Sequence, residues 1–181
     1  MAGKKGLLHS AVRDHAIAKN AGINSILAGM AKSGGFESRN LADGIDILRR
    51  MQADRRCTKF LSFVAALMST GARGIVRDML KNRMFDAVIT TCGALDHDVA
   101  RSYDRYYAGD FRMDDRTLLG KGIHRLGNVL VPMSAYGPLI EEKAQACLED
   151  MYRAGHRSVA SYEIADYVGS TLGKSSFLYW A

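Results

Sequence analysis

Three ionisable side chains, Asp96, His97 and Asp98, stand next to one another near the middle of this sequence. Two carboxylates beside an imidazole can hold a cation or tune the pKa of a proton acceptor. A structural interpretation is also open, in which Asp96 caps a following helix and the other two side chains lie in solvent. The residue types therefore mark a polar cluster that either binds a ligand or begins a helix.

A short apolar run leads directly into this cluster. Residues 85–98 read Phe-Asp-Ala-Val-Ile-Thr-Thr-Cys-Gly-Ala-Leu-Asp-His-Asp, so the apolar run ends in two hydroxyls and a glycine. This order is typical of a buried parallel strand, predicted over 87–90, that delivers a ligand-binding loop at its carboxyl end. Cys92 could act as a nucleophile at a helix N-terminus. No partner residue supports that role, and we expect a small buried side chain.

A second loop with hydroxyls and a glycine lies earlier, at residues 69–71, Ser-Thr-Gly. It follows an apolar segment, 59–65, that is predicted to be a strand. It precedes a helix that is predicted to end near Asn82, with Arg73 on its solvent side. Strand, helix and strand in about 30 residues form a βαβ unit, whose two strands are parallel.

The two loops are expected to share one edge of the sheet, where open parallel sheets bind their ligands. Free N–H groups at a helix start, small side chains and a glycine allow a phosphate to approach closely, so a dinucleotide lying across both loops would fit. No GxGxxG fingerprint is present, and an ordinary helix cap beside an ordinary strand end is the alternative.

Around this unit the sequence predicts mostly helices. The predicted helices cover 24–30, 40–52, 99–104, 139–154 and 162–172. The first of them is expected to be stopped by Gly34 and Gly35. A short extended segment is predicted over 128–131. Residues 105–121 are rich in Tyr, Gly, Asp and Arg and are predicted to be irregular, with Tyr106 and its neighbouring tyrosines used for packing.

The 181 residues are 48% hydrophobic and 24% charged, which favours one globular domain over a disordered chain. No apolar run approaches the length of about 18 residues that a membrane span needs. The apolar stretch within the first ten residues is too short and too interrupted for a secretory signal, so we expect a cytoplasmic protein. The three cysteines form no CxxC pair and the five histidines no HExxH pattern, so neither disulfides nor a metal site is predicted.

The net charge is +6, and part of it lies in residues 1–21, which we interpret as a basic N-terminal arm before one domain over 22–181. Such an arm can touch nucleic acid, but a solvated tail is the simpler interpretation. Basic residues elsewhere are dispersed and are not interleaved with aromatic residues, so no direct nucleic-acid binding is predicted.

Four segments, in this order and spacing, resemble deoxyhypusine synthase: Ser-Thr-Gly-Ala-Arg-Gly (69–74), residues 86–98, Tyr-Ala-Gly-Asp-Phe (107–111) and Gly-Ile-His-Arg-Leu-Gly-Asn-Val-Leu-Val-Pro (122–132). The resemblance covers most of the chain, and the Leu-Asp-His-Asp form is similar to the archaeal branch. It implies an α/β fold in which a Rossmann-like parallel sheet with flanking helices binds NAD. It also implies a homotetramer with sites at subunit interfaces.

The family that the chain resembles transfers the aminobutyl group of spermidine to one lysine of a translation initiation factor precursor, with NAD as transient hydride acceptor. The group passes through an imine on an active-site lysine, which makes a stable amine transferable. The resemblance implies NAD contacts from Ser69, Thr91 and Gly93, loops shaped by Thr70, Gly71 and Cys92, and contacts near the polyamine and nicotinamide from Asp96 and His97. Here His97 replaces a second acid, and residues 65–67, Ala-Ala-Leu, stand where eukaryotic members have Ser-Asn-Leu.

The end of the chain departs from the family it resembles. There, Tyr-Trp-Ala is followed by a strand, an Asp-Gly loop and the catalytic lysine, whereas this sequence stops at Ala181 and Lys174 precedes the motif. The resemblance therefore implies a first half that is incomplete relative to the family fold and leaves an apolar sheet edge open.

For the isolated chain we expect inactivity and instability, or pairing with a complementary C-terminal half or with another copy. Two alternative functions stay open on the same residues. One is a homospermidine synthase, in which a small diamine replaces the protein acceptor. The other is a non-catalytic NAD-binding or regulatory subunit that completes a partner's site.

Overall fold

The computed structural model describes residues 11–181 and shows a mixed α/β fold. The described residues form two compact units, and the boundary between them in the sequence lies between Cys57 and Thr58. The predicted arm over residues 1–21 falls partly outside the described residues and stays a prediction. Within residues 11–181, no helix combines the length and the apolar character that crossing a membrane requires.

The first unit contains two helices, α1 (Ile23–Ser33) and α2 (Phe36–Ala53). Both helices were predicted, and both extend beyond the predicted ranges of 24–30 and 40–52. The helix α1 ends at Gly34, whose φ of +71° lies in the left-handed region that glycine adopts without steric cost. The sequence thus marks this boundary correctly, because glycine is the usual residue for such a helix end.

The second unit contains the predicted βαβ unit. Strand β1 (Phe60–Phe63) pairs in parallel with β2 (Ala87–Thr90), and helix α3 (Ala72–Lys81) connects them. A 3-10 turn over Ala65–Ser69 links β1 to α3. The bounds of β2 are those predicted. One expectation for α3 is wrong, because Arg73 lies on the buried face of the helix and not in solvent.

Helix α4 (Cys92–Tyr103) begins directly after β2. The predicted start at residue 99 is wrong by seven positions, so Asp96, His97 and Asp98 lie within a helix and not in a loop. The buried face of α4 carries Ala94, His97, Asp98, Val99 and Ala100. His97 and Asp98 interrupt the repeat of apolar residues on that face. The helix could therefore not be predicted from its apolar pattern.

A small antiparallel sheet follows, with strand order β3–β5–β4. Its strands are β3 (Tyr107–Ala108), β4 (Ile123–Leu126) and β5 (Val129–Pro132), and helix α5 (Asp115–Gly120) lies between β3 and β4. The extended segment predicted over 128–131 is confirmed as β5. The prediction of an irregular stretch over 105–121 is wrong, since it contains β3 and α5.

Two further helices, α6 (Gly137–Arg153) and α7 (Ser161–Thr171), confirm the last two predicted helices. The apolar core of the second unit joins the βαβ unit to the end of the chain. Phe63 of β1 meets Phe177 edge-to-face at 5.9 Å between ring centroids, and Phe177 is 1% exposed. The last residues of the chain are therefore part of the core.

Candidate functional site

The loops after β1 and β2 lie side by side. The backbone N–H of Ala65 donates to Thr91 Oγ1 at 3.2 Å, and Thr90 Oγ1 donates to the carbonyl of Phe63 at 2.7 Å. These bonds hold the residues at the end of β1 against the second segment that the sequence analysis selected, at the carboxyl ends of parallel strands where such sheets bind ligands.

In the first loop, residues 69–71, the two hydroxyls face different environments. Ser69 is 4% exposed, and its hydroxyl donates to the carbonyl of Ala66 at 2.7 Å. Thr70 is exposed, and its Oγ1 donates to Leu67 O at 2.8 Å and accepts from Ala72 N at 3.2 Å, near the start of α3. The Ser69 hydroxyl therefore shapes the loop from inside, whereas Thr70 faces solvent.

Arg101 fastens this first loop to α4. Its guanidinium donates to two backbone carbonyls, Met68 O at 2.8 Å and Thr70 O at 2.5 Å. Burial lowers the pKa of Arg101, with the nearby Arg73 acting in the same direction. Sequence reasoning missed this residue, because the pattern around position 101 does not reveal a contact with residues some thirty positions earlier.

The second loop leads into the N-terminus of α4. Thr91 is the N-cap residue, with extended backbone, but its hydroxyl accepts from Ala65 and no side chain of the described residues caps the helix. A Cβ on Gly93 would lie 3.0 Å from the Cβ of Ala65, so glycine permits the close approach of the two loops. The N–H groups of the first turn of α4 are thus left without a side-chain cap.

Cys92 is the first residue of α4 and is exposed. The expectation of a buried side chain is therefore wrong. Its neighbour Ala94 is fully buried instead, because that position, two residues further along α4, turns toward the core. No group of three or more metal-binding side chains occurs among residues 11–181.

Asp96 and His97 contact two tyrosines from later segments. Tyr136 Oη donates to Asp96 Oδ2 through a long hydrogen bond of 3.4 Å, and Tyr106 Oη lies 2.9 Å from His97 Nδ1. The His97 ring also packs against Tyr136 at 5.2 Å between centroids. Asp96 is half-buried and His97 is 8% exposed, so the four side chains form one aromatic and acidic cluster.

The charge states of this cluster follow from its burial. Burial lowers the pKa of His97 below its usual value of 6.5, against the opposing charge of Asp96. Burial also raises the pKa values of Tyr106 and Tyr136. At neutral pH the imidazole is therefore uncharged and both tyrosines keep their protons.

Asp98 has a different role from its two neighbours. It is fully buried and accepts hydrogen bonds from Arg73 Nε at 2.5 Å, from Ser176 Oγ at 2.5 Å and from the backbone N–H of Leu178 at 3.0 Å. The alternative that Asp96 caps a helix is wrong, since Asp96 is the fifth residue of α4, and Asp98 does not lie in solvent.

Comparisons with known proteins match this chain along most of its length. A family model described as deoxyhypusine synthase matches residues 25–181. "Probable deoxyhypusine synthase" of Picrophilus torridus is 40% identical over 174 residues, which are 96% of this chain and 55% of that protein. Its counterpart in Thermoplasma acidophilum is 38% identical over 177 residues, with 97% and 56% covered.

A crystal structure described as a "putative deoxyhypusine synthase" from Entamoeba histolytica superposes on this fold with a TM-score of 0.60 at 17% identity. The match covers 94% of this chain and 60% of that one. This likeness supports the fold. The chain spans little more than half the length of the curated relatives that it matches.

Proposed function

The chain belongs to the deoxyhypusine synthase family, and from that membership we propose that it supplies the NAD-binding part of such an enzyme. The proposed reaction transfers the aminobutyl group of spermidine to a lysine of a translation initiation factor precursor, a cytoplasmic substrate. The whole reaction is a proposal because the chain spans 55% of the Picrophilus torridus relative.

The observation that carries this proposal is a pair of contacts at the strand ends. Ala65, just after β1, binds Thr91, and Arg101 of α4 binds the carbonyls of Met68 and Thr70 at the first loop. Together they set the uncapped start of α4 beside the first loop, and the N-terminus of a helix attracts phosphate groups through its free N–H groups and its dipole. The proposed NAD contacts are therefore Ser69, Thr70 and Gly71 in one loop and Thr91, Cys92 and Gly93 in the other. When bound there, NAD would supply the hydride acceptor that amine oxidation needs.

The cluster beside these loops suits a polyamine. The carboxylate of Asp96 offers a negative charge, and the ring of Tyr136 beside it offers an aromatic face of the kind that attracts cations. His97 is kept neutral by its burial, so it does not repel an ammonium group. We therefore assign Asp96 and His97 to spermidine, with Tyr106 and Tyr136 holding them in place.

The nucleophilic lysine is proposed to come from outside this chain. Within residues 11–181, the side chains hydrogen-bonded to Asp96 and His97 are those of Tyr136 and Tyr106. A complementary C-terminal half would bring that lysine, and assembly of several copies would complete the site. The part of the Picrophilus torridus relative outside its match to this chain, called here the complementary part, is a practical source.

The test combines this chain, the complementary part, NAD, spermidine and the factor precursor, and measures deoxyhypusine by mass spectrometry. We expect modified factor only when both polypeptides are present. Aminobutylation of putrescine but not of the factor would instead identify a homospermidine synthase. Equal product from the complementary part alone would contradict the proposal, and mere stimulation of an active partner would identify a regulatory subunit.

A further inference from the structure

One arginine of α4 contacts both parts of the proposed site. Arg101 lies one helical turn after His97, so the two residues share one face of α4. Its guanidinium nitrogen Nη1 donates to the carbonyls of Met68 and Thr70 at the first loop. Its Cζ lies 5.7 Å from the ring centroid of Tyr106, whose hydroxyl lies 2.9 Å from His97 Nδ1. Arg101 therefore joins the proposed cofactor loop to the tyrosine that holds His97.

The hydroxyls of the first loop fix its shape through local bonds. Ser69 and Thr70 donate to the carbonyls of Ala66 and Leu67, each three residues earlier. Such bonds hold a turn together without tying it to another element. The two bonds from Arg101 instead span 33 and 31 positions of the sequence. They tie this loop to α4, whose first turn belongs to the second loop.

A second arginine also joins α3 to α4, but in a different place. The side chain of Arg73 bonds to Asp98 and Ser102 of α4, in the core behind the loops. It thereby positions the helix α3, whereas Arg101 bonds to carbonyls of the loop itself. The two arginines therefore have separable effects, one on the stability of the core and the other on the geometry of the first loop.

An arginine is suited to this double contact. Its guanidinium stays protonated, donates in its own plane and can lie over an aromatic ring. The contacts with the loop and with Tyr106 use the same charged group, so removal of the guanidinium disturbs both at once.

We infer that Arg101 is a positioning residue for both ligands of the proposed site. It holds the first loop in the geometry that NAD needs, and it supports Tyr106 behind His97, where spermidine is proposed to bind. The inference rests on the proposed function and adds to it a residue that acts through the loop and the tyrosine.

Isothermal titration calorimetry of NAD into the chain with its complementary part tests the first role. Arg101→Gln should weaken NAD binding about tenfold, with an unchanged number of sites per chain. An arginine that merely stabilised the fold would change the number of sites and leave their affinity unaltered, and that result would overturn the inference. Arg105→Gln, at an exposed position just after α4, is the matched control and should bind NAD as the parent chain does.

Steady-state kinetics with NAD saturating test the second role. Arg101→Gln and Tyr106→Phe should each raise the KM for spermidine about threefold or more, because His97 loses its support. Tyr106→Phe should leave the affinity for NAD unchanged, since Arg101 keeps its bonds to the first loop. The double variant should raise this KM no further than the larger single effect, because both changes act through one ring. A parental KM in Arg101→Gln, or additive effects in the double variant, would overturn the double role.

A measurement on the parent chain tests the inference if Arg101→Gln does not fold by circular dichroism. Coupling between two equilibria is reciprocal, so NAD must strengthen the bonds that favour its own binding. In a chain with isotopically labelled arginine and unlabelled complementary part, NAD should slow exchange of the Arg101 guanidinium protons about tenfold, as measured by NMR. Unchanged exchange in the presence of bound NAD would overturn the inference.

These outcomes are distinct from a failure of the proposed function. If the parent chain with its complementary part does not bind NAD, the proposed function is refuted and this inference with it. If the parent chain binds NAD and Arg101→Gln binds it equally well, the inference alone is refuted.

Discussion

Asp98 and Ser176 are 78 residues apart in sequence, and the hydroxyl of Ser176 donates to the carboxylate of Asp98 at 2.5 Å in the core. The same carboxylate accepts from Arg73 of α3, and all three side chains are buried. This network joins α3, α4 and the end of the chain around one charged group. Since α4 also carries Asp96 and His97, the network fixes the helix on which the proposed substrate contacts lie.

We predict that Asp98→Asn lowers the free energy of unfolding by about 3 kcal/mol, because it leaves the buried guanidinium of Arg73 without its counter-charge. Ser176→Ala should cost about 1–2 kcal/mol, the range for a lost hydrogen bond to a buried group. Urea unfolding of the 181-residue chain measures both. Asp46→Asn, which removes one partner of an exposed ion pair with Arg50, is the control and should change stability by less than about 1 kcal/mol. Equal effects at positions 98 and 46 would contradict the role of the buried network.

The pH dependence of stability should report the burial of His97. Its pKa in the folded chain is lowered below 6.5, mainly by desolvation, so the unfolded chain binds this proton more tightly. The stability that the fold gains from keeping His97 neutral is therefore fully present above about pH 6.5. It is lost as the pH falls through the lowered pKa of the folded chain. Unfolding measured at several pH values should show stability rising with pH in this window. His97→Gln should flatten that rise, with His124→Gln, at an exposed position, as the control for removing an imidazole. An unchanged slope in His97→Gln would count against a buried, neutral imidazole.

Gly93→Ala should weaken NAD binding about tenfold or more. The added Cβ would lie 3.0 Å from the Cβ of Ala65 and would push the two loops apart. Isothermal titration calorimetry of NAD into the chain with its complementary part measures the effect. Gly120→Ala is the matched control, because a Cβ there meets nothing within 4 Å. Wild-type NAD affinity in Gly93→Ala would show that the loop junction does not form the cofactor site.

Asp96→Asn should raise the KM for spermidine about tenfold while leaving the affinity for NAD nearly unchanged. The substitution keeps the shape of the side chain and removes the negative charge that is proposed to attract an ammonium group. Steady-state kinetics of the reconstituted enzyme, with NAD saturating, give this KM. Asp104→Asn, at the exposed end of α4, is the control for loss of a carboxylate. A parallel loss of NAD affinity in Asp96→Asn would indicate that Asp96 contacts the cofactor and not the polyamine.

Local chemistry is what allowed the βαβ unit to be predicted. The bounds of β2 follow from an apolar run that stops at Thr90, and the end of α1 follows from Gly34. The start of α4 could not be read in the same way, because its buried face carries His97 and Asp98 where an apolar period would be expected. Arg73 was predicted on the solvent side of α3 for the same reason. An arginine in a sequence is normally expected in solvent, and its buried partner Asp98 is not evident from the sequence.

The sequence was enough to predict where in the fold the candidate site lies, but not which side chains contact one another there. The position of the two loops follows from parallel strands, whose carboxyl ends share one edge. Tyr136 reaches Asp96 across 40 residues, and Tyr106 reaches His97 from the segment after α4. Those contacts depend on how later segments pack against α4. The pattern of apolar and polar residues along the sequence does not predict this packing.

The most direct measurement of the central claim is the formation of NADH when spermidine is added to the chain, its complementary part and NAD without an acceptor protein. Oxidation of the amine must deliver its hydride to NAD, so we predict a fluorescence burst limited by the number of sites. Adding the factor precursor should reverse the burst, and Gly93→Ala should diminish it. The absence of NADH, or an equal burst from the complementary part alone, would contradict the claim that this chain holds the cofactor.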